Sequence, residues 1–440
     1  MKVTNQSLFS LTIPIFLELM LTTIIGNVDT IMLGRYSDQA VGAVGGISQV
    51  LLIQTVILNF ICLGSSILIA QYIGAQNKDG IQKAISVSLI MNLIMGLAIG
   101  FFYFWGWEWI LVKIKLPSSL IEIGKFYFRI VGGLCFFQGI TLTCSAIMKS
   151  FGNTKEMLFV NVGINLLNIL GNGMFIFGWF GAPILGVNGV GISTVVSRFI
   201  GAIVAITIMM KYCNFKFIYL KNFSFKIMKH ILYIGIPSAG EYLSWSVAQL
   251  IILSMVNTMG TIEIAARTYL ALISSFIMTF SIALGNGTAI QVGQLVGANK
   301  KDEAYSQCLK STKLSFLAAG IVSVIIILLK KPIMNFFTTD IAVLNAAYKV
   351  FIWMILIETG RTLNIVIINS LNASGDVRFP VTMGVISMYG VAVPLCWFLG
   401  LKLNLGLIGI WLGNAADEWV RGIIMLRRWK SKKWTKKSFI

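Results

Sequence analysis

Six acids fall inside long apolar stretches of this 440-residue chain: Glu18, Asp29, Glu241, Glu358, Asp417 and Glu418. Only Arg198, Arg361 and Arg421 clearly accompany them. A charge at the centre of a bilayer costs at least ~2.5 kcal/mol on insertion scales, so such groups must face a cavity or a partner. Carboxylates in excess of arginines can bind cations or hold protons, because desolvation favours the neutral acid. The single histidine, His230, and six scattered cysteines without a C-x-x-C remove imidazole triads and thiolate metal sites from consideration. The cysteines are expected to be buried free thiols, and the chain is not expected to be an enzyme.

Spacing sorts these residues into three groups. Arg361 follows Glu358 by three positions, while Arg421 follows Asp417 by four and Glu418 by three, so each set shares a helical face as an internal ion pair. Such pairs either brace helix packing or gate a substrate path. Glu241 has no basic residue within one turn; a helix places Ser244, Trp245 and Gln249 along its face, and Pro237 upstream loosens a carbonyl. This set suits substrate or proton binding. Asp29 ends a first apolar run, and Asn161, Asn165, Asn168 and Asn172 form one stripe on another. One carboxylate with two amides, as from Asn168 and Asn172, and a threonine hydroxyl resembles the hard-oxygen shell of a small cation. Packing glue between helices is the competing explanation.

The elements that must position these residues are membrane helices. With 57% hydrophobic and 12% charged residues, most of the chain belongs in lipid, where backbone groups must pair internally. Twelve spans are expected near 8–34, 44–69, 84–107, 122–148, 157–179, 187–211, 230–258, 266–292, 312–330, 343–371, 379–401 and 406–426. The formal charge of +19 lies mostly between alternate spans and at the C-terminus, so it reads as a topology signal and not as a nucleic-acid surface. The outer loops would hold only Arg35, Lys113, Lys115, Arg267, Lys330, Lys331 and Lys402, which puts both termini in the cytoplasm.

The chain also repeats itself. At an offset of 223 residues, Ile13, Pro14 and Glu18 align with Ile236, Pro237 and Glu241; Gln71, Gly74, Ala75, Lys78 and Asp79 align with Gln294, Gly297, Ala298, Lys301 and Asp302. Residues 1–211 and 230–428 are read as two six-helix lobes, with 212–229 a cytoplasmic linker and 429–440 a basic cytoplasmic tail. An even number of spans per repeat relates the lobes by a pseudo-twofold axis along the membrane normal, around a central cleft. The fold class is therefore an all-α polytopic membrane protein built for alternating access.

Three motifs carry a family resemblance: Val28-Asp29-Thr30-Ile31-Met32-Leu33-Gly34, the paired Gly-Ala-x-x-Lys-Asp loops, and Phe177-Gly178 followed by Gly186-x-x-Gly189. In combination, and across essentially the whole chain, they resemble the multidrug and toxic compound extrusion (MATE) transporters of bacteria. That resemblance implies twelve helices in two lobes and export of amphipathic organic cations by antiport against sodium or protons. By position, Asp29, Asn168, Asn172 and Thr194 match the family's first-lobe cation site, and Glu241 resembles an acid of the seventh span. The chain departs from the pattern at Arg361, where some members carry an important acid, which speaks against a second-lobe sodium site of that kind.

The expected function is thus secondary active export of organic cations across the cell membrane, with no cofactor beyond sodium or protons as the coupling ion. Partners would be small-molecule organic cations and membrane lipids, without nucleic acid, and the protein would act as a monomer. Tyr242, Trp245, Phe276 and Phe280 offer aromatic faces to such substrates. The alternative is a flippase of lipid-linked precursors, whose anionic substrates would want a basic interior; the interior excess of acids argues against it.

Overall fold

A computed structural model describes residues 7–221 and 223–440, without the side chains of 24–27. Apart from short 3-10 turns, the described elements are helices: α1 (Leu8–Gly34), α2 (Asp38–Gly74), α3 (Lys78–Lys113), α4 (Ser118–Gly133), α5 (Phe136–Ser150), α6 (Thr154–Phe177) and α7 (Val187–Cys213). The second repeat supplies α8 (Phe225–Asn257), α9 (Thr261–Gly297), α10 (Lys301–Leu328), α11 (Lys330–Phe337), α12 (Ile341–Ser374), α13 (Arg378–Lys402) and α14 (Leu407–Lys430). Ten of these are long and apolar enough to cross a membrane, and an eleventh span arises if α4 and α5 are one broken helix bent by 44°. The segment expected as a twelfth span is α14, which is helical but carries Asp417, Glu418 and Arg421 along its length. The chain is an all-helical, multi-pass membrane protein.

Helix boundaries reproduce the sequence repeat. Asp38 and Gly74 bound α2 as Thr261 and Gly297 bound α9, and α3 and α10 begin on the aligned Lys78 and Lys301. Both α1 and α8 contain their aligned proline, Pro14 or Pro237, inside the helix. A proline removes one donor and crowds the preceding turn, so each repeat opens with a helix weakened at the same place.

The chain forms two compact units, one of Leu17–Ile73 and Asn77–Gly235, the other of Met1–Phe16, Gly74–Gln76 and Ile236–Ile440. In the first, Leu33, Ile47, Tyr103, Phe128 and Val190 belong to one buried cluster. The break between α4 and α5 lies against α3. A Cβ on Gly100 would stand 2.2 Å from the carbonyl oxygen of Gly133, and Cys135 donates from Sγ to the carbonyl of Gly96 at 3.2 Å. Glycine at 100 is what permits this backbone approach. In the second unit, one cluster gathers Leu270, Phe351, Met354 and Trp411, and another gathers Leu371, Met425, Trp429 and Trp434.

Polar contacts fix the C-terminal residues to that second unit. Trp434 is fully buried and stacks on Trp429 with ring centroids 4.2 Å apart. Lys432 pairs with Asp302 at 2.7 Å, and Arg428 grips Asp376 through Nε and Nη2 at 2.7 and 3.2 Å. Gly375 adopts φ +95°, where a Cβ would meet the backbone oxygen of Lys437 at 2.2 Å, so both conformation and space demand glycine. All six cysteines are buried and free, as their scatter predicts.

Candidate functional site

In the first unit α6 is the element that presents amides. Gly178, at φ +73°, ends it in the left-handed conformation, and Gly171 lets α7 approach so closely that a Cβ there would stand 2.3 Å from Ser193 Oγ. The approach is locked by a hydrogen bond of 2.8 Å from Ser193 Oγ to the carbonyl of Asn168. Asn168 Nδ2 then donates to Thr194 Oγ1 at 3.2 Å, and Asn172 Nδ2 donates both to Asn168 Oδ1 at 3.4 Å and to Asp29 Oδ1 at 2.7 Å. Asp29, Asn168, Asn172 and Thr194 therefore meet at one place, with the last three buried.

That cluster retains acceptor capacity. Asn172 Oδ1 is buried without a hydrogen-bond partner, beside the carboxyl of Asp29. A buried orphan acceptor is costly, and a cation satisfies it. With one carboxylate in the set, the charge suits a monovalent ion or a proton. Asp29, Asn168, Asn172 and Thr194 are the residues that would hold it.

A second acid on α1 uses the same stripe. Glu18 Oε1 accepts from Asn161 Nδ2 at 2.7 Å and pairs with Lys149 Nζ at 2.9 Å, while Glu18 Oε2 is buried without a partner. Its partner is none of the arginines that accompany the acids in sequence but the ammonium of Lys149 at the end of α5. Only tertiary packing brings Lys149 there, so no local spacing could have found it. Ser193 was likewise missed, because its role depends on the approach of α6 to α7.

The second unit joins the two expected ion-pair sets into one network. Glu358, fully buried on α12, accepts from Ser274 Oγ and from Arg361 Nη1, the latter at 2.8 Å. Arg361 Nε reaches Glu418 Oε1 at 3.4 Å; Arg421 Nη2 reaches Asp417 Oδ2 at 2.7 Å and Glu418 Oε2 at 3.2 Å. Asn364 and Ser387 complete the shell by donating to Glu418 at 3.0 Å and to Asp417 at 2.5 Å. Glu418 is the link, shared between both arginines.

Glu241 stands apart from Trp245 and Gln249. Its carboxyl lies against α13, where a Cβ on Gly384 would be 3.0 Å from Oε1, and it makes no ion pair among the described residues. Trp245 and Gln249 instead line a cavity of ≈ 350 Å³, together with Arg267, Arg361, Trp411 and Asn414. Arg267, counted with the outer loops in the sequence, belongs to the second turn of α9 and lines this cavity. One helical face thus serves two separate sites.

Comparison with known proteins bears on the fold and the family. The family model described as MatE matches twice, over residues 14–174 and 237–398, the two matches beginning on the aligned Pro14 and Pro237. The chain is 41% identical to the "Uncharacterized transporter YisQ" of Bacillus subtilis (strain 168), over 98% of this chain and 95% of that one. It is 26% identical to the "Probable multidrug resistance protein NorM" of Thermotoga maritima, covering 99% and 94%. Among solved structures, one described as "Outward-facing conformation of a multidrug resistance MATE family transporter of the MOP superfamily" superposes with a TM-score of 0.85 at 20% identity, covering 97% of this chain and 96% of that one. Family match, coverage and fold concur: the chain belongs to the MATE family of membrane transporters and is not an enzyme.

Proposed function

We propose that the protein is a secondary active exporter of amphipathic organic cations, driven by sodium or protons entering in exchange. The observation that carries this reading is the meeting of Asp29 with Asn168, Asn172 and Thr194 around an unpartnered buried amide oxygen. Such a set changes its net charge when an ion arrives, and that change is what a coupling site must convert into a preference between two conformations. Relatives described as probable multidrug resistance proteins support a drug-like cargo. Exposed rings of Tyr242 and Phe276 supply apolar and cation-π contact. The bias of Lys and Arg toward one set of loops supports both termini in the cytoplasm, with export outward across the cell membrane.

The test is transport in proteoliposomes that hold the purified protein and a fluorescent organic cation, with a sodium or a proton gradient imposed in turn. Release of the dye under one gradient, and its loss in Asp29→Asn, is the expected result. No gradient-driven release under either ion would overturn the proposal.

A further inference from the structure

We infer that the cavity of the second unit is a binding site for an organic anion, specifically the carboxylate of a small aromatic acid. The cavity measures ≈ 350 Å³, near the lower end of the roughly 300–1,000 Å³ of small-molecule pockets. Two guanidinium groups, Arg267 and Arg361, belong to its lining, and no carboxylate does.

The two arginines differ in what they have left to give. Arg361 is committed to Glu358, Glu418 and Ser274. Arg267 makes no ion pair among the described residues, although its side chain is partly buried. In the same lining, Trp411 is only 7% exposed, and its indole Nε1 is buried without a hydrogen-bond partner. Neither lining amide accepts from that indole: Asn414 Oδ1 takes its hydrogen bond from Gln249 Nε2 at 3.4 Å, and Trp411 Nε1 reaches no acceptor.

A guanidinium and an indole N–H donate hydrogen bonds and cannot accept them. The unused capacity at Arg267 and Trp411 is therefore donor capacity, with a positive charge. An ammonium ligand would meet repulsion and find no acceptor at Arg267 or Trp411. A carboxylate accepts from both and supplies the counter-charge that Arg267 lacks. The indole faces of Trp245 and Trp411 favour a flat aromatic body behind that group. The inference does not depend on the export reading, because binding needs no gradient and no particular coupling ion.

The test is calorimetric titration of the purified protein in lipid nanodiscs with 1-naphthoate, against 1-naphthylmethylammonium, which carries the same rings and the opposite charge. Saturable binding of naphthoate and none of the ammonium is expected. Arg267→Gln should weaken naphthoate at least tenfold, Trp411→Phe several-fold with bulk retained, and Arg267→Lys less than Arg267→Gln. Equal or tighter binding of the ammonium, no binding of naphthoate, or an unchanged affinity in folded Arg267→Gln and Trp411→Phe would each overturn the assignment. Failure of ion-driven dye export would leave this result untouched.

Discussion

Asn172 stands to Asp29 as Asn161 stands to Glu18: in both pairs the amide nitrogen is 2.7 Å from a carboxylate oxygen, and in both the partners are 143 residues apart in the chain. The equal separation means that α1 and α6 run parallel and in register, joined by two polar rungs about three turns apart at 3.6 residues per turn. One rung has a lysine beside it and the other does not. On the proposed function, that difference makes Glu18 a structural acid and Asp29 the ion-binding one.

At the proposed ion-binding rung, Asp29→Asn removes the charge and keeps the shape. Gradient-driven efflux should fall at least tenfold and lose its dependence on the coupling ion. Asn172→Ala should weaken ion dependence less, since it removes one ligand and one charge-assisted hydrogen bond of about 1.5–3 kcal/mol. Titrating the ion at fixed dye checks both; an unaltered ion dependence in Asp29→Asn would remove the site.

At the other rung, Lys149→Met leaves Glu18 with a buried, uncompensated carboxylate and should lower thermal stability. Glu18→Gln made together with Lys149→Met should recover part of that loss, because neighbours in one pair are not additive. Melting curves of the two single variants and the double variant measure the coupling. Strict additivity would show that the pair contributes nothing.

The network around Glu418 allows bracing to be separated from gating. Glu358→Gln leaves Arg361 short of one fully buried partner, and breaking a buried ion pair costs about 3–5 kcal/mol. If the network braces α12 against α14, the melting temperature falls while efflux per folded molecule is kept, and this is the expected outcome. Lost efflux at unchanged stability would make it a gate.

Glu241→Gln should abolish efflux without loss of folding, since Glu241 makes no ion pair whose removal would unfold the unit. Transport by this variant equal to the unmodified protein would exclude Glu241 from the pathway.

Truncating Trp434 to Ala should cost about 3–5 kcal/mol, as for other buried large-to-small changes. The stacked pair with Trp429 and the link from Lys432 to Asp302 would loosen together. A melting temperature unchanged by Trp434→Ala would show that the terminal segment contributes nothing to stability.

Much of this was legible in the sequence because lipid leaves the backbone few options. Apolar run length located the helices, and the offset between Pro14 and Pro237 predicted paired boundaries that recur at Asp38 and Thr261. The stripe of asparagines on α6 placed Asn168 and Asn172 on one face before any partner was known. Partners themselves were not legible. Lys149 reaches Glu18 from a helix 131 residues away, and Arg267 looked like a loop residue until α9 carried it into a cavity. A helical face says which residues point together, yet Glu241 and Trp245 share a face and meet different neighbours, Gly384 of α13 for the one and the cavity of Arg267 for the other.

The prolines that open each repeat lie close to where the chain passes from one unit to the other, after Phe16 and after Gly235. Neither unit is therefore a continuous product of translation. The ribosome must have made Phe225–Gly235, the start of the second repeat, before the first unit has all its chain, while Leu8–Phe16 must wait for α9 to be synthesised before Thr12 can lie against Gly287. A gene cut between the repeats would yield two fragments, each holding about two to three helical turns that the other requires. Separate halves should consequently accumulate only when co-expressed, and a nascent chain paused in the linker should still be open to proteolysis.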